Sequence, residues 1–512
     1  MEKSGLSVGN SSRVFWSALG VAVGAQFGLH ALAFNGGWFR DELYYIACAK
    51  RLDRAYVDHP ALSVALLRLL GPWLESLPAV RLVAAFCGVL TTAGILLLAR
   101  SLGAGRATQL VAAVAAVVSP VFLGIHSFYS MNALEPLFWL TIATLWTRKL
   151  RSEHPALPWA ATGLVGALAF HNKLSILWLL APLVVASVVL LPWHHKHWGQ
   201  VASFCLIFGV GSLPWWVWQY QHGFPTMEFI RNATQQKMEP TSPLSFLAGR
   251  VLAAGPLVVL LTTYGCYVGL RGVLGLAGRV LAVVVLFNAV LLAASSSSRA
   301  YYLVPAHCLG IALGAAALHL RLKRRTGLVS PLFVALLLMP SCAAIPLALP
   351  ILPPERTAQY LALFPVGPPR EEKGTYGPLP QHLADRYGWE DLGDTVYGTW
   401  ERLAGEEGAK PVIVAANYGQ ASALEVLRRH HPAATVASPH NQFWYWARPT
   451  EWGDSFLLVG FPEAAVRPFF EETRPLGHFA CQWCRENACP LVLARKPVQA
   501  PEVLWARLRK FL

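Results

Sequence analysis

The chain has 512 residues, of which 55% are hydrophobic, 14% are charged and 19 are tryptophan. That composition excludes a soluble globular protein and a disordered one, and it defines a polytopic membrane protein. A net charge of +14 requires no nucleic-acid partner, because basic loops set membrane topology and attract anionic lipid head groups.

Apolar segments of about 20 residues, long enough to cross the hydrocarbon core, recur through the first two thirds of the chain and then stop. Hydropathy predicts eleven spans, over residues 14–34, 80–98, 108–125, 134–146, 159–170, 174–191, 201–218, 251–270, 280–294, 302–320 and 328–349. Two of them are short for a full crossing. The first is longer than a signal-peptide core and lacks a small-residue cleavage site, which predicts a retained anchor. Arg100, Arg106, Arg148, Lys149, Arg151, Lys196, Arg271, Arg279, Arg321, Lys323, Arg324 and Arg325 all fall in loops on one side, the cytoplasmic side by the positive-inside rule. The expectation is a multi-pass protein of the cell (inner) membrane with a cytoplasmic N-terminus. Residues 1–350 form the transmembrane domain, 35–79 its first outer loop, and 351–512 a periplasmic or extracellular domain.

The first outer loop carries Phe39-Arg40-Asp41-Glu42-Leu43-Tyr44-Tyr45 and then Tyr56-Val57-Asp58-His59-Pro60. Two adjacent carboxylates beside a bilayer are costly to keep ionised, so the pair marks a candidate site. It is equally compatible with a helix N-terminus, where acids favour the dipole. Against the positive-inside pattern, this loop also holds Arg40, Lys50, Arg51, Arg54 and Arg68. Its amphipathic part, 42–52, and its apolar part, 61–74, are suited to lying along the bilayer surface. There the cations either hold a lipid phosphate or serve anchorage alone.

Further polar groups fall at the outer ends of later spans: Asn132 and Glu135, then His171-Asn172-Lys173, then Arg299-Ala300-Tyr301-Tyr302. A base, cations for an anion and aromatics for a ring are what an interfacial site requires. Lys173 also suits an interfacial anchor, and Glu135 a helix cap. The outer loop 219–236 is polar and aromatic, and either shapes a substrate cavity or is a solvated connection.

After Pro346, Pro350, Pro353 and Pro354, which read as a linker, strands are predicted over 411–415, 434–437 and 455–459 and a helix over 421–430. Their alternation predicts a small α/β domain, placed to cover the site mouth or engage an acceptor. Gly419-Gln420, opening the helix, is a weak anion-binding signal. Cys481, Cys484 and Cys489 predict one disulfide with an odd thiol left over; with His478 they also make a possible structural zinc set.

Taken in order, Asp-Glu-x-Tyr-Tyr, Asp-His-Pro, Asn-Ala-x-Glu-Pro (132–136), Asn-Lys (172–173) and Arg-x-Tyr-Tyr-Leu-x-Pro (299–305) resemble the bacterial glycosyltransferases of the dolichyl-phosphate-mannose protein mannosyltransferase-like superfamily. Relatives include protein O-mannosyltransferases and the aminoarabinose transferases that modify lipid A. The resemblance covers residues 14–349, and weakly the tail at Gly419-Gln420 and 438–441. It implies an all-α polytopic bundle of the GT-C type with its active site on the outer face. Such an enzyme moves a sugar from a polyprenyl-phosphate donor to a hydroxyl of a lipid, glycan or protein acceptor, with inversion of the anomeric centre. It implies Asp41 as general base, with Glu42 as helper or second candidate base. Arg40, Tyr44, Tyr45, Asp58, His59, Asn132, Glu135, Lys173, Arg299, Tyr301 and Tyr302 become donor-phosphate or substrate contacts. No cofactor is required by the sequence, and a divalent cation is compatible with it. His59 departs from the family, standing where lipid A relatives have a lysine, and histidine titrates near neutrality. Arg299 stands where relatives often have lysine, keeping the charge and adding a fork suited to phosphate. A lipid-linked sugar flippase, a transporter or a non-catalytic envelope assembly protein is the alternative. The clustering of motifs on one face and the lack of acidic residues deep in the spans stand against transport.

Overall fold

The structure is a computed structural model that describes residues 5–34, 36–151, 158–190, 196–322, 331–364, 371–374, 377–407, 410–428 and 431–512. Lys323, Arg324 and Arg325 of the predicted basic loop lie outside them. The chain forms two compact units, one of Met1–Phe34, Arg81–Trp216 and Pro240–Ile351, the other of Asn35–Val80, Val217–Glu239 and Leu352–Leu512. Besides Leu352–Leu512, the second unit takes in residues 35–80 and 217–239.

The first unit is helical, and each predicted span coincides with a helix or a broken helix. Among the described residues, Leu77–Ser101, Trp198–Gln221, Gly275–Ala294 and Ala300–Leu322 are long and apolar enough to cross a membrane. A fifth crossing is added if the pair Pro243–Ala254 and Pro256–Leu270, bent by 113°, is one span. The expected count of eleven exceeds this because several apolar segments make short helices. Arg106–Val118 has 13 residues, which at about 1.5 Å each falls short of a core roughly 30 Å thick. It ends at Ser119 before Pro120, whose ring removes an amide donor. Ser119 Oγ donates to the Ala254 carbonyl at 2.8 Å, tying this break to the one before Pro256.

The helices Pro256–Leu270 and Val304–Leu322 meet backbone to backbone. A Cβ on Gly310 would lie 2.4 Å from Thr262 Cγ2, and one on Gly314 2.4 Å from the Leu261 carbonyl oxygen. Gly310 and Gly314 are a small-xxx-small pair, the spacing that lets helices approach in lipid. Arg81, at the start of Leu77–Ser101, is buried and donates to the carbonyls of Ala33 (2.9 Å) and Phe34 (2.7 Å), which follow the helix Gly5–Leu32. A cation at that end satisfies carbonyls that have no intrahelical partner.

In the second unit, β1 (Val412–Ala415), β2 (Val436–Ala437), β3 (Ser455–Val459), β4 (Phe470–Phe479) and β5 (Cys489–Pro497) form one sheet of order β2-β1-β3-β5-β4. β1 runs parallel to β2 and β3, while β5 is antiparallel to β3 and β4. The predicted strands are β1 to β3. β4 and β5 escape periodicity because the edge strand β4 is largely exposed, rich in charge and shifted in register between Pro475 and Gly477. One face of the sheet packs Val412, Val414, Phe456, Leu458, Val492, Ala494 and Trp505. The helix Tyr418–Val426, buried along its whole length, follows β1.

Phe456 is 4% exposed between Trp452 and Phe470. Phe456→Ala is expected to destabilise the second unit by about 3–5 kcal/mol, read as a lower thermal midpoint with intrinsic tryptophan fluorescence.

Candidate active site

The residues of the Asp-Glu loop fold onto the α/β part of the second unit. The helix Arg40–Lys50 begins after Phe39, whose backbone N–H donates to Glu42 Oε2 at 2.9 Å. Glu42 is fully buried and makes the half of a capping box that a phenylalanine cap allows. Asp41, one residue earlier, points another way: its side chain is 35% exposed. Tyr418 Oη donates to Asp41 Oδ1 at 2.9 Å, while Oδ2 accepts no hydrogen bond among the described residues.

Arg40 joins this carboxylate to two others. Its Nε lies 3.6 Å from Asp41 Oδ1, and its Nη2 lies 3.3 Å from Glu372 Oε1 and 3.5 Å from Asp385 Oδ2. Lys237 at 3.6 Å and Arg485 at 3.8 Å complete the cations around Glu372. Burial works against the Glu372 charge, but Arg40, Lys237 and Arg485 outweigh it and hold the group down at about 2. Asp385 is more deeply buried, and burial pushes it up to about 6 against the pull of Arg40. Its Oδ1 is buried without a hydrogen-bond partner among the described residues. Gly419 lets Arg40 lie against the start of the Tyr418–Val426 helix, since a Cβ there would stand 2.8 Å from Arg40 Cγ.

Around these groups, Tyr44 Oη donates to Asp58 Oδ1 at 2.9 Å and receives the Gln442 N–H at 3.3 Å. Asn441 Nδ2 donates to Asp58 Oδ2 at 3.4 Å, and burial raises the Asp58 carboxyl above the usual carboxylate range. Tyr45 stacks on His59 at 4.6 Å. His59 is buried, and its Nδ1 donates to the Pro60 carbonyl at 2.9 Å. That arrangement makes His59 a packing element under the tyrosines, with no exposed nitrogen aimed at a phosphate.

The other sequence candidates belong to the first unit. Lys173 Nζ donates to Glu135 Oε2 at 2.6 Å and to Asn132 Oδ1 at 2.9 Å, and lies 5.5 Å from the centre of the Tyr302 ring. Ser175 Oγ donates to the other Glu135 oxygen. The helix Met131–Leu150 is capped by Ser130, which accepts the Asn132 N–H, so Glu135 is not its cap. Tyr301 packs edge-on to Tyr302 at 4.7 Å, and Arg299 is buried with Nη1 on Thr241 Oγ1 at 3.2 Å. A cavity of about 330 Å³ in this unit is lined by Leu102, Gly103, Arg151 and Leu274 among others and holds none of these residues.

Cys481 and Cys484 form a disulfide. Cys489 is left as a buried thiol in β5, with Gln420 Nε2 3.5 Å from its sulfur. This corrects the zinc set: two of its four ligands are covalently paired, and among the described residues no three His, Cys, Asp or Glu side chains are grouped to hold a metal ion. The anion site expected at Gly419-Gln420 is filled from within by Glu486, which accepts from Gln420 Nε2 at 2.6 Å and Asn417 Nδ2 at 3.2 Å. The residues around Asp41 that the sequence reading missed are Lys237, Glu372, Asp385, Tyr418 and Arg485. Lys237 stands next to the polar loop read as ending at Gln236; the others lie hundreds of positions away, in segments with no motif that points to Asp41.

The helical architecture is that of a membrane protein, and its fold is the one seen in solved structures of GT-C glycosyltransferases. Among solved structures, the chain is similar to ArnT from Cupriavidus metallidurans, a lipid A aminoarabinose transferase, in its apo state (TM-score 0.58, 13% identity, 94% of this chain and 98% of that one). It matches the same protein bound to undecaprenyl phosphate (TM-score 0.56, 15% identity, 95% and 98%). It is also similar to the Archaeoglobus fulgidus oligosaccharyltransferase (TM-score 0.51, 13% identity, 82% and 62%). No family model and no curated protein matches the sequence.

The two acids beside Arg40 shift in opposite directions, which sets a pH signature. Asp385 is raised to about 6 from an unfolded value near 3.9, so its burial penalty is relieved and stability rises as pH falls through 6 toward 4. Glu372 is lowered to about 2 from an unfolded value near 4.3, so its contribution is present above that value and is lost as pH falls through it toward 2. Thermal midpoints in detergent are expected to peak near pH 4–5 for these two groups, and Asp385→Asn should remove the rise on the side above it. Separately, Arg485 and Glu486 follow Cys484 directly, and Arg485 Nη2 also donates to the Lys373 carbonyl at 3.2 Å. Cys484→Ser, or reduction, is expected to loosen this loop, read as faster amide hydrogen exchange over 480–488 and 371–374.

Proposed function

We propose that this protein is an integral membrane glycosyltransferase that moves a sugar from a polyprenyl-phosphate carrier to an acceptor hydroxyl on the outer face of the membrane. The observation that carries the reading is Asp41, a part-exposed carboxylate with one oxygen held by Tyr418 and the other open, beside the Arg40 guanidinium. In the reaction the acceptor oxygen attacks the anomeric carbon as Asp41 Oδ2 takes its proton. The bond from that carbon to the phosphate oxygen breaks, and the carrier phosphate leaves with the electron pair. Attack opposite the leaving group inverts the anomeric centre. The leaving phosphate needs positive charge, for which Arg40, beside Asp41, and Lys237, beside Glu372 and the Tyr418 ring, are assigned. Glu42 is assigned to holding the helix start, because its carboxylate is buried and already accepts the Phe39 N–H.

In the first unit, the Glu135–Lys173–Asn132 cluster and the tyrosines beside it are assigned to contacts with the lipid-linked donor. The fold likeness supports this class of chemistry, since one similar structure is bound to undecaprenyl phosphate and another, the Archaeoglobus fulgidus AglB, to dolichol phosphate and an inhibitory peptide. The N-terminus is assigned to the cytoplasm and the α/β part to the outer side on the basic-loop pattern.

Radiolabel transfer from a panel of polyprenyl-phosphate sugars to envelope extract, with the protein in nanodiscs, tests the reading. Wild type is expected to transfer one sugar, and Asp41→Asn to be slower by about 10²–10⁴. Full transfer by Asp41→Asn would remove the base assignment. No label from any donor, with the protein folded, would move lipid flipping ahead of catalysis.

A further inference from the structure

We infer that Tyr418, supplied by the α/β part of the second unit, is a positioning residue for Asp41: its hydroxyl clamps Oδ1 so that Oδ2 is presented to the acceptor. The inference rests on the base assignment above for its catalytic consequence. The hydroxyl-to-carboxylate contact itself is read directly from the structure.

Tyr418 is itself held from several directions. Asn417 caps its helix by accepting the Gln420 N–H at 2.9 Å, which fixes the backbone of the first turn. The Tyr418 N–H donates to His440 Nδ1 at 3.3 Å, and His440 Nε2 donates to the Leu512 carbonyl at 2.6 Å. These two contacts require the neutral Nε2–H tautomer, and burial pushes the imidazole down to about 3, so the tie does not titrate in the working range. Burial also pushes the Tyr418 phenol well above its ordinary range, so it remains a donor. Its ring lies against Tyr44 at 4.8 Å, with Arg40 at 5.4 Å and Lys237 at 5.6 Å from the ring centre. A side chain so enclosed, 6% exposed, acts through its hydroxyl on Asp41 and not on substrate.

The titratable and charged groups facing the pair are Arg40 from the first-loop helix, Asp58 from the same loop, Lys237 from the helical turn Ala233–Lys237, Glu372 from the 371–374 segment, Asp385, and the neutral imidazole of His440. Asp385, pushed up to about 6, and Asp58, also raised by burial, contribute to any pH profile of the whole protein beside Asp41. Infrared pH-difference spectra separate them, because the Asp41 carboxyl band is the one that disappears in Asp41→Asn.

The test compares wild type, Tyr418→Phe and 3,5-difluorotyrosine at position 418 in nanodiscs. Losing a hydrogen bond donated to a carboxylate disfavours the ionised form, so Tyr418→Phe is expected to move the Asp41 band's midpoint up by about one pH unit. The fluorinated phenol, a stronger donor of nearly the same shape, is expected to move it down. In transfer assays the acid limb of the pH–rate profile should follow, with activity of Tyr418→Phe recovering at higher pH. An Asp41 band that titrates at the wild-type pH in both variants overturns the proposal, as does a rate lowered equally at every pH. If Asp41→Asn transfers at the wild-type rate, the base assignment fails, and with it the catalytic role of Tyr418, even where the infrared shift is seen. Should Tyr418→Phe fail to fold, the fluorinated variant alone decides, by a downward shift or its absence.

Discussion

The buried guanidinium of Arg40 is the group on which the candidate site depends. A cation taken out of water must be paired, and Arg40 is paired three times, with Asp41, Glu372 and Asp385, within 3.6 Å. Glu372 sits 332 residues from Arg40 in the chain. Satisfying one charge therefore draws the first-loop helix and the stretch after the last apolar helix into a single compact body. The same need explains why neighbouring carboxylates titrate in opposite directions: Glu372 has Arg40, Lys237 and Arg485 around it, whereas at Asp385 deeper burial and the acids Glu372 and Asp41 outweigh Arg40 and Arg485.

Asp41 and Glu42 show how adjacent residues acquire different work. Successive side chains on a helix point about 100° apart. The first of them therefore projects to the partly exposed side, where Tyr418 meets it, and the second turns back under Phe39. The two acids thus have different surroundings: Glu42 serves the helix terminus, and Asp41 stands part-exposed with one oxygen held by Tyr418. His59 shows the converse. In place of a lysine it becomes an aromatic packing partner for Tyr45, and the cations assigned to the phosphate are instead Arg40 and Lys237.

The first unit is built on a different constraint. Apolar surface alone does not select helix partners in lipid, and close backbone approach at Gly310 and Gly314 supplies contact that larger side chains would forbid. Breaks at Ser119-Pro120 and Gly255-Pro256 interrupt the crossing segments, and the Ser119 hydroxyl meets a carbonyl freed by the second break. Polar side chains at helix ends, such as Glu135 and Lys173, satisfy each other where either alone would be costly.

Hydropathy and loop charge were sufficient to read the membrane class and the position of the long apolar helices, because burial in lipid demands long apolar runs, but the helices Pro225–Asn232 and Pro243–Ala254 were not read. These signals were insufficient to count crossings, since helix length depends on where prolines and loops end each run. The first three strands were legible from short apolar stretches; β4 was not, because an exposed edge strand carries no alternation, and β5 was found only through its pairing with β3 and β4. The Asp41 loop stood out as a candidate site because ionised groups beside apolar spans are conspicuous. Its partners Tyr418, Glu372, Asp385 and Arg485 were decided by tertiary structure alone, as was the division of work between Asp41 and Glu42. A hydrogen bond such as Tyr418 to Asp41, across 377 residues, leaves no periodicity or spacing in the chain. It exists only because the helix Tyr418–Val426 and the first-loop helix pack against each other within one unit.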